Sequence, residues 1–302
     1  MYDLIIIGAG AAGYSASIYA SRYGIKNKII SLDDGGMTAT AHEVENYPGF
    51  ENIKGRDLMN KFKSHSLLYG TEMDFGVKVE KIEKINDNHF KINTSKGLYE
   101  SKKIIIATGN ERNKLGRIGE NEFYGKGVSY CVTCDGFFFK NRVVAVIGGG
   151  DAALTGALAL ANIASKVYLI YRKTTHDMKA ERVWVNNAIK NEKIEILENT
   201  NIKEIKGGLF VERVDLDNGN NLSVDGIFIE VGARPNTKWL DNLGFDIDNN
   251  GYIKIDKRSE TSVKGIFAAG DITNGSNHFE QIITGSSEAA IASNSIFNDL
   301  NR

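Results

Sequence analysis

The amino-acid sequence predicts an α/β protein built on two Rossmann-like dinucleotide-binding units. Two observations carry that reading. A glycine-rich turn spans Gly8–Gly13 and a second spans Gly148–Ala153, each after a short apolar run and before a helix-like stretch. A third observation, one Cys-x-x-Cys at Cys131–Cys134, adds redox chemistry to the fold.

The first apolar run, Asp3 to Ile7, is short and continuous, as a strand buried on both faces should be. Gly8-x-Gly10-x-x-Gly13 then opens an Ala/Ser/Tyr-rich helix to about Tyr23, with Ala11 and Ala12 in its first turn. Gly8 permits the tight turn, Gly10 lets the backbone approach a pyrophosphate, and Gly13 lets the helix pack close to the strand. The helix N-terminus offers free N–H groups and a partial positive charge to the phosphates. A second strand runs from Lys28 to Leu32, and Asp33 lies twenty residues after Gly13, where a carboxylate can accept ribose hydroxyls. The bland alternative is a structural glycine turn.

Residues 77–99 alternate in strand fashion, and Ile104 to Ile106 form an apolar run closed by Ala107-Thr108-Gly109. The second unit repeats the first pattern: a strand from Arg142 to Ile147, the turn Gly148-Gly149-Gly150-Asp151-Ala152-Ala153, a helix to about Ala164, and a strand from Lys166 to Ile170. After that strand come Tyr171-Arg172-Lys173, cations rather than an acid. Such charges suit a 2′-phosphate, which favours NADPH over NADH, and Lys179 and Arg182 could add to them. Further strands are expected at Gly226–Gly232 and Gly265–Asp271, with a closing helix at about Gly285 to Leu300. The two prolines, Pro48 and Pro235, are expected in loops as turn formers.

Bulk composition narrows the function. A chain of 302 residues fits two domains, and 42% hydrophobic with 25% charged residues is ordinary for a globular protein. A net charge of −1 gives no reason to expect nucleic-acid or membrane partners. No apolar run approaches the roughly 20 residues that span a bilayer. The N-terminus enters a strand with no basic stretch before it, so the expected compartment is the cytoplasm, where a disulfide is usually catalytic. Two cysteines cannot complete a four-thiolate zinc site, and His42, His65, His89, His176 and His278 show no ligand spacing, so no metal is expected.

Two thiols separated by two residues can close a small disulfide ring. A first cysteine near a helix N-terminus has a stabilised thiolate. Exchange runs through a mixed disulfide, one thiol attacking the partner and the other resolving it. Asp135, next to Cys134, is a candidate acid or base. Half a metal site and two buried thiols are the plain alternatives.

Taken in order, these motifs resemble the low-molecular-weight thioredoxin reductase family. The likeness covers nearly the whole chain. It rests on Gly8–Gly13, Gly35-Gly36-Met37-Thr38, Glu43–Gly49, Ala107-Thr108-Gly109, Ser129–Gly136, Gly148–Ala153 and Thr261–Asp271. It implies a second domain inserted in the first: an FAD-binding domain from residues 1–114 and 243–302, and residues 115–242 carrying the CxxC. It implies FAD along Gly8–Gly13, with Asp33 or Asp34 near its ribose and Gly36, Met37 and Thr38 alongside. Asn46, Gly270 and Asp271 would contact the flavin part or its ribityl and phosphate, and Gln281 and Ile282 would sit by the isoalloxazine ring. Gly148, Gly150, Asp151, Ala152, Ala153, Arg172 and Lys173 would serve the pyridine nucleotide. Cys134 would face the flavin, Cys131 would attack thioredoxin or a similar small dithiol protein, and Asp135 would be the acid/base. The family is typically a homodimer whose two domains rotate between a flavin-reducing and a dithiol-exposing state.

Some positions depart from the family pattern. Tyr171-Arg172-Lys173 stands for His-Arg-Arg, Thr155-Gly156 for two acids, and Glu280 for an arginine before Gln281. Some members with such changes take electrons from other donors, such as ferredoxin or a deazaflavin, so a donor other than NADPH is a second reading. Reduction of a glutaredoxin-like or peroxidase partner and a non-enzymatic flavin redox sensor are others. Similar ferredoxin–NADP reductases lack the CxxC.

Overall fold

The computed structural model describes residues 1–41 and 43–301; His42, considered above as a ligand, and Arg302 lie outside the described residues. The chain divides into two compact units. Met1–Ala39, Val44–Glu111 and Arg234–Arg302 form the first, and Thr40–Glu43 with Arg112–Ala233 form the second, which is thus inserted in the first.

The first unit is built on a seven-stranded sheet. Six strands run in the order Glu72–Phe75, Asn27–Ser31, Tyr2–Ile7, Gly97–Ile106, His89–Thr94, Val79–Asn86, and the seventh, Ile266–Ala268, joins off this path on Gly97–Ile106. Tyr2–Ile7 is central because Leu4, Ile5 and Ile6 bury completely, which suits a strand covered on both faces. It runs parallel to Asn27–Ser31, with Ile6 opposite Ile29, and to Gly97–Ile106, with Ile6 opposite Ile105. Gly97–Ile106 changes partners along its length. Its first half pairs antiparallel with His89–Thr94, and its end pairs parallel with Ile266–Ala268. The alternation over residues 77–99 is therefore an antiparallel meander, with Phe90 and Ile92 turned into the core.

Two boundaries in this unit differ from the sequence expectation. The strand near Gly265–Asp271 stops at Ala268, because Gly270 turns the chain at φ +82°. The last helix, Ile282–Leu300, begins three residues earlier than expected. Gln281 and Thr284 cap each other there, the Gln281 N–H donating to Thr284 Oγ1 at 3.1 Å. This helix packs along Ala11–Arg22, and Ser293 Oγ donates to the Ala16 carbonyl at 2.9 Å.

The second unit has a five-stranded parallel sheet, in the order Ile194–Leu197, Lys166–Ile170, Val143–Ile147, Gly226–Ile229, Val128–Ser129. Alternate residues of Val143–Ile147 feed two cores: Val144 and Val146 join the helix-covered face, Ala145 and Ile147 the other. The helix after the glycine turn is Asp151–Ala161, ending three residues short of Ala164. A three-stranded antiparallel sheet, Ile202–Gly207, Val211–Leu216 and Asn221–Ser223, covers the second face. Pro235 ends the three-residue strand Ala233–Pro235 rather than sitting in a loop; a two-stranded ribbon tolerates proline on its edge. Among the described residues, no helix is long and apolar enough to cross a membrane.

Candidate functional site

Steric limits show why the first glycine turn is built as it is. Gly8 has φ +111°, and a Cβ there would lie 2.2 Å from the Ala107 carbonyl oxygen. A Cβ on Gly13 would lie 1.9 Å from the Gly8 carbonyl oxygen. Gly10 is different: a Cβ there would meet nothing within 4 Å. Gly10 is also the N-cap of Ala11–Arg22, and no side chain caps that end. The first-turn residues Ala11, Ala12 and Gly13 follow directly on this open, uncapped position, an arrangement that fits a pyrophosphate at a helix N-terminus. Gly36 and Gly270 close in on it, a Cβ on Gly36 lying 3.2 Å from Gly10 Cα and one on Gly270 lying 3.0 Å from Ala12 Cβ.

The acids after the second strand are arranged differently from the expectation. The strand ends at Ser31, a residue without charge, whose hydroxyl accepts the Ala9 N–H at 3.2 Å. Asp33 lies two residues beyond and accepts the Gly36 N–H at 3.1 Å, shaping the turn before Met37 and Thr38. Asp34 pairs with Lys63 at 2.6 Å and accepts the Tyr14 hydroxyl. Burial pushes its carboxyl up, and Lys63 and Tyr14 outweigh that, leaving it below its ordinary value.

Other predicted residues of this unit also meet. Asn46 Nδ2 donates to Gln281 Oε1 at 3.0 Å across 235 positions of sequence. Thr108 and Gly109 follow Ala107, whose N–H donates to the Ile7 carbonyl at 2.8 Å. The Asp271 carboxyl is pushed up to about 6, first by burial and then by the charges of Glu280 and Glu288. Glu280 itself accepts from Tyr252 Oη at 2.5 Å and Asn110 Nδ2 at 3.1 Å.

In the second unit, Cys131 and Cys134 are joined by a disulfide, their Cα atoms 5.3 Å apart. Cys131 caps the short helix Val132–Asp135 and Cys134 lies within it, and Cys131 Sγ accepts the Cys134 N–H at 3.1 Å. Cys134 is exposed and Cys131 partly so. Ser129 Oγ donates to Asp135 Oδ2 at 2.6 Å, which ties the acid to the end of the strand Val128–Ser129.

The second glycine turn is tighter than the first. A Cβ on Gly148 would lie 2.2 Å from the Glu230 carbonyl oxygen, and one on Gly149 would lie 2.3 Å from the Tyr171 ring. Gly150 is open and caps Asp151–Ala161 without a side-chain bond. Asp151 accepts the Glu181 N–H at 2.7 Å, Ala152 is exposed, and Ala153 is buried. Arg172 and Lys173 are both exposed.

The profile described as pyridine nucleotide-disulphide oxidoreductase matches residues 2–289. A thioredoxin reductase of Bacillus subtilis is 40% identical over 98% of this chain and 94% of its own. The chain belongs to this family, in its low-molecular-weight thioredoxin reductase branch. Two solved thioredoxin reductases agree in structure. The one from Lactococcus lactis has a TM-score of 0.92 at 35% identity, covering 99% of this chain and 98% of that one. The one from T. acidophilum has a TM-score of 0.92 at 37% identity, covering 100% and 99%. The α/β fold of two dinucleotide-binding domains is thus that of the thioredoxin reductases.

Against that family background, three groups escaped the sequence reading. Glu288 is 7% exposed; it accepts the Gly270 N–H and Thr273 Oγ1, both at 2.9 Å, and Ser276 Oγ at 2.7 Å, so it fixes the loop that presents Asp271. No signal in a single sequence marks it. Lys63 and Tyr14 hold Asp34, again through the fold alone. Phe137 and Phe138 are 75% and 76% exposed, three and four residues after Cys134. Their signal was legible: an aromatic run that begins three residues after a CxxC.

Proposed function

We propose that this protein is an FAD-dependent thioredoxin reductase. The observation that carries the proposal is the Cys131–Cys134 disulfide at the start of a helix, with Asp135 beside it, in a chain whose first glycine turn fits a dinucleotide. The first unit holds FAD: the Ala11–Gly13 amides take the pyrophosphate, and Asp271, Asn46, Gln281 and Ile282 serve the flavin portion. FAD, once bound and reduced by the donor, would supply the two electrons that open the Cys131–Cys134 bond.

The protein's own groups do the rest. The Cys131 thiolate attacks one sulfur of the oxidised thioredoxin disulfide; that S–S bond breaks, a Cys131–thioredoxin S–S bond forms, and the second thioredoxin sulfur leaves as thiolate. The Cys134 thiolate then attacks Cys131 Sγ, re-forming the internal disulfide and releasing the first thioredoxin sulfur. Asp135 moves the protons that the leaving thiolates require. Phe137 and Phe138 offer exposed apolar area beside the cysteines to a protein substrate. NADPH is the donor, bound at Gly148–Ala153 with Arg172 and Lys173 toward its 2′-phosphate. The enzyme works as a homodimer in the cytoplasm.

The test is anaerobic. The flavin-loaded protein is mixed with NADPH, NADH or reduced ferredoxin, and bleaching of the flavin band is followed before thioredoxin is added. Rapid bleaching by NADPH and stoichiometric thioredoxin reduction support the proposal. Bleaching by ferredoxin alone would transfer the donor role to the second reading. A protein that bleaches but never reduces thioredoxin would end the thioredoxin assignment.

A further inference from the structure

Reduction removes the covalent tie between Cys131 and Cys134 and leaves the four-residue helix Val132–Asp135. A helix that short does not hold itself together, because its nucleation cost is not recovered. Something else must keep Asp135 beside the thiols while the sulfurs are apart.

The contacts around Ser129 do this without using sulfur. Ser129 is 4% exposed and lies at the end of the buried strand Val128–Ser129. Its hydroxyl donates to Asp135 Oδ2 at 2.6 Å and accepts the Cys131 N–H at 3.0 Å. The Cys131 carbonyl lies 3.3 Å from the same hydroxyl and accepts the Asp135 N–H at 3.1 Å. With one proton to give, the hydroxyl gives it along the shorter path, to the carboxylate, the stronger acceptor. The result is a closed loop of bonds from Ser129 to the Cys131 backbone to Asp135 and back. None of these bonds is made by a sulfur atom.

We infer that Ser129 is the positioning residue for Asp135, holding its carboxylate against the Cys131 backbone through the reduced half of the cycle. The inference rests on the reading of Asp135 as the group that handles the dithiol's protons. Ser129 touches neither thioredoxin nor flavin in this scheme; it acts through Asp135.

Three variants test it: Ser129→Ala, Ser129→Thr, and Ser129→Ala in an Asp135→Asn background, each flavin-loaded. The substrates are thioredoxin and, separately, a small aromatic disulfide, so the inference is read even on a chain that refuses thioredoxin. Ser129→Ala should lower kcat roughly tenfold or more, with KM and the anaerobic rate of flavin bleaching unchanged. Ser129→Thr, which keeps the hydroxyl, should recover most of that loss. In the Asp135→Asn background, Ser129→Ala should add no further loss, because the two residues act as one unit. Wild-type kcat in Ser129→Ala would overturn the inference. So would a Thr variant as slow as Ala, or losses that multiply in the double variant. Thioredoxin failing with the unaltered protein while the aromatic disulfide still distinguishes Ala from Thr would instead overturn the thioredoxin assignment.

Discussion

Asp271 holds its proton further up the pH scale than a carboxyl ordinarily does, at about 6 against 3.8. Burial is the first cause, and the neighbouring Glu280 and Glu288 charges add to it. The folded chain therefore binds this proton more tightly than the unfolded chain. Its stabilising contribution is fully present below about pH 4 and is lost as the pH rises through about 6. Asp271→Asn should therefore stabilise the flavin-free protein above pH 6, by roughly 3 kcal/mol, and leave it little changed near pH 4. The same change should weaken FAD binding. Thermal unfolding of flavin-free protein at the two pH values checks the first part; an unchanged difference between them would contradict it. At this scale Asp271, Asn46 and Gln281 were marked through the family resemblance. Glu288 and Ser129 were illegible because their importance lies in partners 18 and 6 positions away, brought close only by folding.

The glycine turns were the most legible elements, since a strand, three glycines and a helix leave few alternatives. What the sequence could not separate was which glycine serves the fold and which serves the ligand. The structure separates them. Gly13→Ala places a Cβ 1.9 Å from a carbonyl oxygen, so the helix must shift. The expected cost is about 1–3 kcal/mol, with loss of FAD as well. Gly10→Ala meets nothing within 4 Å and has φ −81°, which alanine accepts. It should leave the flavin-free protein as stable as before, or more stable by about 0.4–1 kcal/mol, and still weaken FAD binding by intruding on the cradle. Thermal unfolding without FAD and fluorescence titration with FAD distinguish the pair. Equal destabilisation by both changes would contradict the division of labour. Element ends were less legible: the last helix starts at Ile282 on a Gln281–Thr284 cap that has no strong sequence signature, and the acid expected at a strand end falls beyond it because that strand closes on Ser31.

For the whole molecule, repetition of the strand–turn–helix pattern announced two units, but only the resemblance indicated that one is inserted in the other. Pairing of Ile266–Ala268 with Gly97–Ile106 bridges more than 150 residues, a contact that local periodicity cannot encode. A homodimer predicts a sedimentation mass near twice 33.2 kDa at micromolar concentration, and a monomer mass there would remove that assignment. The central claim, electron passage from flavin through Cys131–Cys134 to thioredoxin, is best tested by reducing the flavin anaerobically and then adding oxidised thioredoxin to the wild type and to Cys134→Ser. The wild-type flavin band should return as thioredoxin is reduced, while the variant's flavin should stay bleached. Equal return of colour in both proteins would show that the electrons do not travel through the cysteine pair.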